Sequence, residues 1–428
     1  MIPYIEPLIP ADIDRSVLIP REHVMPNGGI VYCFPDSTTD LVKIDLIFEA
    51  GTALQEKYMQ SAAAIQLITE GTSRRTAREI AEFMDFRGIV AEKSNDAVSA
   101  TLTVYTLACY MEELVPLLYE MTTDAAYPQA EFDVYISKRR QQLLTNRKKT
   151  SYRARVQYYT SLYGAEHPLG RFASADDLGG LSVEEVRSFH DRYLTPSRLS
   201  IVVGGKVGEG ELKLLDDTFG SHETSPYSRV VLPPPQAEGL GEKRVEVAEA
   251  VQNTLRVGRL LPFGWESPDN TRFMVLSTVL GGYFGSRLMS NIRDEKGYTY
   301  GINAFTQIQR GSILFVIATD VACGNADAAM EEIRREMQRL CEEPVPEEEI
   351  QLVRNFMVGD FMRGIDGVFE RSERFCQMLA SGVRETLTDN LMSTLEPGAV
   401  TSDTLQRLAQ RLFEPSEMVF ISAGRTSR

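Results

Sequence analysis

Ser182-Val183-Glu184-Glu185-Val186-Arg187-Ser188-Phe189-His190-Asp191-Arg192-Tyr193-Leu194-Thr195-Pro196-Ser197-Arg198-Leu199-Ser200-Ile201-Val202-Val203-Gly204-Gly205 decides the fold, because its pattern returns near the end of the chain. The second copy is Thr401-Ser402-Asp403-Thr404-Leu405-Gln406-Arg407-Leu408-Ala409-Gln410-Arg411-Leu412-Phe413-Glu414-Pro415-Ser416-Glu417-Met418-Val419-Phe420-Ile421-Ser422-Ala423-Gly424. Pro415 minus Pro196 is 219, and Gly424 minus Gly205 is again 219. Ser182 with Glu185 is a capping-box pattern that opens a helix. Val186, Phe189 and Tyr193 share one helical face, as do Leu405, Leu408 and Leu412. In both copies Pro-Ser closes the helix, and an apolar strand follows and ends at glycine. Tyr127-Pro128-Gln129-Ala130-Glu131-Phe132 pairs with Val345-Pro346-Glu347-Glu348-Glu349-Ile350 at a nearly equal offset, 346 minus 128 being 218. Each proline suits a first helical turn, where its missing N–H costs nothing. Two matches at nearly equal offsets imply a duplicated unit.

Outward from these anchors, each half alternates strands and helices. Val42, Ile44, Leu46 and Phe48 alternate with other residues, and Val98, Ala100, Leu102 and Val104 alternate with Ser99, Thr101 and Thr103. Both read as half-buried strands with one face against helices. Residues 254–260, 300–307 and 312–318 read as strands of the second half. Pro226, the run Pro233-Pro234-Pro235, Gly239 and Gly241 mark a linker. The expected organisation is residues 1–222, a linker at 223–242, and residues 243–428. The fold class is α+β: two duplicated domains, each a mainly antiparallel sheet covered by helices on one side.

A chain of 428 residues exceeds one typical core. Its hydrophobic content of 43% and charged content of 25% are those of an ordinary globular protein. The net charge of -15 argues against nucleic acid as a partner, since phosphate binding needs clustered basic residues. Cys33, Cys109, Cys323, Cys341 and Cys376 are scattered and odd in number, so they read as reduced thiols of a cytoplasmic protein. The start, Met1-Ile2-Pro3-Tyr4-Ile5-Glu6-Pro7, does not read as a signal peptide. The most apolar stretch, 313–318, is too short to span a bilayer, so no membrane role is expected. The run 138–155 carries Lys138, Arg139, Arg140, Arg147, Lys148, Lys149, Arg153 and Arg155 with no acid. It reads either as a solvated face or as a surface steering an acidic partner chain.

Ile44–Gly51, the helix ending Glu70-Gly71-Thr72, Tyr163-Gly164, His167-Pro168-Leu169-Gly170, Leu280–Leu288 and Arg293-Asp294-Glu295-Lys296-Gly297-Tyr298-Thr299-Tyr300 together resemble the pitrilysin/insulinase-type zinc peptidases. The likeness is to the short branch that includes mitochondrial processing peptidase and the core proteins of the cytochrome bc1 complex, and it covers nearly the whole chain. It implies a domain pair forming one half of a clamshell. Those peptidases carry H-x-x-E-H on a helix, and here the positions read Ala62, Ile65 and Gln66. The resemblance puts the third ligand, a glutamate, at Gln142, and no Asp or Glu occurs between Asp133 and Glu166. The four histidines (His23, His167, His190, His222) include no i, i+4 pair. Zinc catalysis needs imidazoles and a carboxylate around one ion with a water position open. No catalytic residue, metal ligand or cofactor is therefore assigned to this chain. A structural hydrogen bond is expected of His167, and solvation of His23 and His222.

Arg293 and Tyr300 match the pair that, in active relatives, faces the zinc from the other half of the clamshell and hydrogen-bonds the peptide. A guanidinium and a phenol are suitable donors to an oxygen gaining negative charge. The competing reading is a helix C-terminal arginine and a tyrosine packed in the core. Gly281 and Gly282 resemble a substrate-contacting glycine loop, or else they are a helix cap and tight turn. The resemblance implies a non-catalytic, substrate-binding subunit of a heterodimeric zinc metallopeptidase. Zinc would sit in a homologous partner subunit, and a peptide would be the substrate. A structural scaffold and a peptide-binding homodimer are the alternatives.

Overall fold

The computed structural model describes residues 18–383 and 386–425. The first sheet contains β1 (Arg21–Val24), β2 (Ile30–Pro35), β3 (Leu41–Phe48), β4 (Val90–Asn95), β5 (Ala100–Leu107) and β6 (Leu199–Gly205), in the order β1-β2-β6-β3-β5-β4. The second contains β7 (Gly241–Glu246), β8 (Gln252–Leu260), β9 (Thr299–Gln309), β10 (Ser312–Ala322) and β11 (Val419–Gly424), in the order β7-β11-β8-β10-β9. β6 runs parallel to β2, and β11 runs parallel to β7. The other pairings are antiparallel. With β1 set aside, the two sheets have one topology, so the repeat read in the sequence is a repeat of the fold.

The first-half helices are α1 (Gln60–Gln66), α2 (Ala77–Phe86), α3 (Met111–Thr123), α4 (Gln129–Asn146), α5 (Thr150–Tyr163), α6 (Val183–Tyr193) and α7 (Glu209–Asp217). The second half contributes α8 (Pro268–Ser277), α9 (Ala326–Glu342), α10 (Glu347–Arg363), α11 (Val368–Ser381), α12 (Thr386–Thr394) and α13 (Ser402–Leu412). The capping box at Ser182 is formed in both directions, Glu185 N–H to Ser182 Oγ at 3.3 Å and Ser182 N–H to Glu185 Oε2 at 2.9 Å. The glycines that close β6 and β11 are spatially required. A Cβ on Gly205 would lie 2.1 Å from Leu41 O, and one on Gly424 would lie 2.1 Å from Asn253 Oδ1.

Each half builds its main core between one face of its sheet and its own helices. The opposite face of each sheet carries a helix from the other half, which the sequence reading does not anticipate. α5 lies on the second sheet, burying Ala154, Tyr158 and Leu162 against Leu314, Val316 and Ile421. α11 lies on the first sheet, burying Val368 and Phe375 against Phe34, Ile47 and Val202. The two helices occupy equivalent places, since 368 minus 150 and 381 minus 163 are both 218. Equivalent helices are thus exchanged between the halves.

The exchange explains why β3 is buried on both faces rather than one. Lys43 and Asp45 alternate outward from the main core, yet each is 1% exposed because α11 covers them. Lys43 Nζ lies 3.0 Å from Asp45 Oδ2 and 2.8 Å from Glu373 Oε2 of α11. Asp45 also accepts from the Thr103 hydroxyl at 2.7 Å and the Cys376 thiol at 3.3 Å. A buried charge persists only when paired and hydrogen-bonded, and here every partner is present. On the other sheet, the Tyr158 hydroxyl donates to Phe315 O, Tyr159 donates to Gln307 Oε1 at 2.7 Å, and Tyr163 bonds Ser312 Oγ at 3.0 Å. Gly258 makes room for this approach, because a Cβ there would lie 2.0 Å from Phe315 O and 2.3 Å from the Tyr158 hydroxyl.

Candidate functional site

α1 carries Ala62, Ile65 and Gln66, and their side chains are committed elsewhere. Ile65 is fully buried in the first-half core, where a carboxylate would be desolvated without a partner. Ala62 is buried and offers a methyl. Gln66 donates its amide to Lys93 O on β4 at 3.0 Å. Gln142 is exposed on α4 and accepts from Arg139 Nη1 at 2.7 Å. These residues do not fit zinc: one position has no donor, one is core, and the two amides are poor ligands already hydrogen-bonded. Among the described residues no group of three or more His, Cys, Asp or Glu is placed to hold a metal ion.

The histidines are structural. His167 donates from Nε2 to Pro233 O at 2.9 Å and accepts the Leu169 N–H on Nδ1 at 3.0 Å, which pins the linker to the first half. Burial pushes its pKa down, keeping the ring neutral. His190 bonds Thr122 O at 2.9 Å and is likewise shifted down by burial. His23 and His222 are not simply solvated. His23 Nε2 is 2.8 Å from Asp216, and His222 Nδ1 is 3.3 Å from the Tyr119 hydroxyl.

Over Ala62 opens a cleft of about 520 Å³, walled by Tyr58, Arg139, Arg155, Tyr159, Arg171 and Phe172. The Arg171 guanidinium lies 3.4 Å from the centre of the Tyr58 ring, and Arg155 lies 5.7 Å from both the Tyr152 and Phe172 rings. The acid-free run read as a face is thus divided. Arg139, part-buried, and Arg155, exposed, line this cleft, whereas Arg140 is exposed outside it. The sequence signal was the run itself; its inward orientation depends on how α4 and α5 are packed.

Arg293 lies in a π-helical segment, Met289–Glu295, and Gly281 and Gly282 end another, Thr278–Gly282. Such segments are rare and frequent at functional sites. Arg293 is half-buried, with its guanidinium 4.4 Å from the Phe284 ring centre and Nη1 3.2 Å from Asp294 Oδ1. The N–H groups of Lys296, Gly297 and Tyr298 bond the carbonyls of Asn291, Arg293 and Ile292, which fixes the turn into β9. Tyr300 then stands 96% exposed, so it is not a core tyrosine. Gly281 is needed for packing, because a Cβ there would lie 2.7 Å from Ala304 Cβ. Gly282 is exposed at the end of that segment. The cleft over Ala62 touches β9 only at Gln309, nine residues from Tyr300. At about 3.3 Å per strand residue the two lie about 30 Å apart.

Comparison with known proteins bears on the fold. Residues 180–357 match the family described as Peptidase M16 inactive domain. Over that stretch the chain matches the M16 peptidases in sequence. It is 25% identical over 353 residues to the "Uncharacterized zinc protease YmxG" of Bacillus subtilis, covering 80% of this chain and 83% of that protein. It is 22% identical over 269 residues to the "Non-peptidase homolog YmxG" of Helicobacter pylori, covering 60% of each. In fold it resembles the crystal structure of the peptidase M16 inactive domain from Pseudomonas fluorescens, with a TM-score of 0.83 at 16% identity over 95% of this chain and 98% of that one. The M16 fold is therefore present here.

Proposed function

We propose that this chain is the non-catalytic, substrate-binding subunit of a heterodimeric zinc metallopeptidase acting on peptides or unfolded segments. A homologous partner subunit supplies the zinc and its ligands, and this chain presents Arg293 and Tyr300 to the bound peptide. The carrying observation is spatial. Tyr300 is solvent-exposed, and it lies about 30 Å along β9 from Gln309, where the strand borders the cleft over Ala62. Its partner in chemistry therefore belongs to another molecule. Gly281 and Gly282 border the same end, where Gly282 offers backbone to a ligand. The organisation into residues 1–222, a linker at 223–242 and residues 243–428 supplies one half of the clamshell. The dispersed free thiols favour a cytoplasmic setting, and no helix among the described residues is long and apolar enough to cross a membrane.

Co-purification from the native cell extract tests this reading. A co-eluting chain of similar size, with zinc and chelator-sensitive cleavage of unstructured peptides, is the expected result. A clean homodimer without activity would replace it with a scaffold or a peptide-binding homodimer.

A further inference from the structure

We infer that the cleft over Ala62 is a carboxylate-binding site that takes the acidic end or side chain of an extended peptide. The inference is independent of the role given to Arg293 and Tyr300. Where the zinc peptidases bind a cation, the walls here are cationic. Arg139, Arg155 and Arg171 converge on the cleft. Of the three acids that line it, Asp96 and Glu56 are occupied. Asp96 accepts the N–H groups of Val98 and Ser99 at 2.6 and 2.7 Å and the Ser99 hydroxyl at 2.8 Å. Glu56 pairs with Arg192 at 2.6 Å, outside the cleft. Among the described residues no carboxylate pairs with Arg139 or Arg155, and Arg171 reaches only the exposed Glu166, at 3.8 Å.

A second observation points to a ligand. Arg139 Nε, the Tyr58 hydroxyl and Gln55 Oε1 are buried without a hydrogen-bond partner, and all three residues line this cleft. A buried orphan of this kind costs about 1–3 kcal/mol, so three in one place need an explanation. A carboxylate satisfies the two donors, since an arginine fork matches its geometry and a phenol adds a third bond. Gln55 Oε1 is then an acceptor for a peptide N–H. The aromatic walls and the volume suit a short peptide segment rather than an ion alone.

Titration calorimetry on the full chain tests this with an unstructured octapeptide bearing a free C-terminal carboxylate, its amidated form, and an amidated form carrying one internal glutamate. Salt-sensitive binding of the free peptide is expected, weakened at least tenfold by amidation or rescued by the internal glutamate; rescue identifies the side chain as the source. The Arg139→Gln/Arg155→Gln variant loses at least tenfold in affinity, and Arg140→Gln, outside the cleft, leaves it unchanged. Should the double variant lose its fold by circular dichroism, Arg171→Gln serves in its place. Equal binding of the neutral amidated and free peptides, or wild-type affinity in a folded arginine variant, overturns the proposal. So does inorganic phosphate binding as tightly as the free peptide.

Discussion

Lys43→Met should cost this protein about 3–5 kcal/mol, although it replaces a buried cation with an apolar side chain of similar length. Lys43 and Asp45 are 3.0 Å apart and 1% and 2% exposed in their side chains. At an effective dielectric of about 20 their attraction is about 5 kcal/mol. Removing either ion from water costs several kcal/mol, so the intact pair contributes little net stability. Deleting the cation alone is different. Asp45 would keep only the Thr103 hydroxyl and the Cys376 thiol as donors. Its charge would then be uncompensated in the interface, which is the 3–5 kcal/mol case. Lys43→Met/Asp45→Leu, in contrast, should recover most of the loss, because both ions go together. Urea unfolding of the wild type, both single variants and the double variant gives the coupling energy. Limited proteolysis provides an independent reading. The node joins α11 to the sheet of the opposite half, so Lys43→Met should also expose the 223–242 segment to protease. A loss below about 1 kcal/mol in Lys43→Met, with unchanged proteolysis, would refute the claim that this node holds the exchanged helix.

The exchange at the other sheet is tested by Gly258→Ala, which should lower the unfolding midpoint, because the new methyl would collide with Phe315 O and the Tyr158 hydroxyl; an unchanged midpoint would contradict the tight approach of α5. The acid limb of stability should involve Glu373. Burial would raise that carboxyl, but the hydrogen bond and charge of Lys43 override it and hold its pKa down. A depressed carboxyl contributes above its unfolded pKa of about 4.3, and the contribution is lost as pH falls through the lower folded value. Glu373→Gln should therefore flatten the thermal midpoint's dependence on pH below about 4.3, modestly, since Glu373 is half exposed. Arg293→Ala in the assembled enzyme should lower turnover about a hundredfold, as expected for loss of a charged donor to a developing oxyanion, with the isolated chain's melting unchanged; unaltered turnover would remove Arg293 from the site. A chelator should leave the thermal midpoint of the isolated chain where it is, because none of Ala62, Ile65, Gln66 and Gln142 provides a zinc-binding carboxylate, thiolate or imidazole.

The duplication was legible because it is written in local chemistry. A hydroxyl that caps a helix, a proline that follows it and a glycine that closes a crowded strand end recur in both halves. The helix exchange was not legible, since α5 and α11 look like any other half-apolar helices. Which sheet they cover is decided by tertiary packing. Its one trace was in β3, where Lys43 and Asp45 interrupt an apolar strand at outward positions. Alternation alone assigns such residues to solvent, and only α11 makes them a buried pair. The character of the candidate sites divides in the same way. That Ala62 and Ile65 cannot bind zinc follows from the atoms they carry. That Arg139 faces a cleft while Arg140 faces solvent depends on the rotation of α4.

That rotation also decides what the degenerate site can become. Restoring ligands on α1 alone would not restore a zinc site. A glutamate at position 65 would point into the first-half core rather than toward water. An ion above position 62 would meet the guanidinium groups of Arg139, Arg155 and Arg171, while Glu56 is held by Arg192 and Asp96 by backbone N–H groups. Electrostatically, the walls of the cleft oppose a cation and favour an anion. The loss of metal binding is therefore a property of the whole neighbourhood: the helix has been absorbed into the core, and the space above it has acquired the opposite charge preference. Under the proposed role, this chain would meet a peptide through surfaces remote from that helix, such as the one where Tyr300 stands exposed.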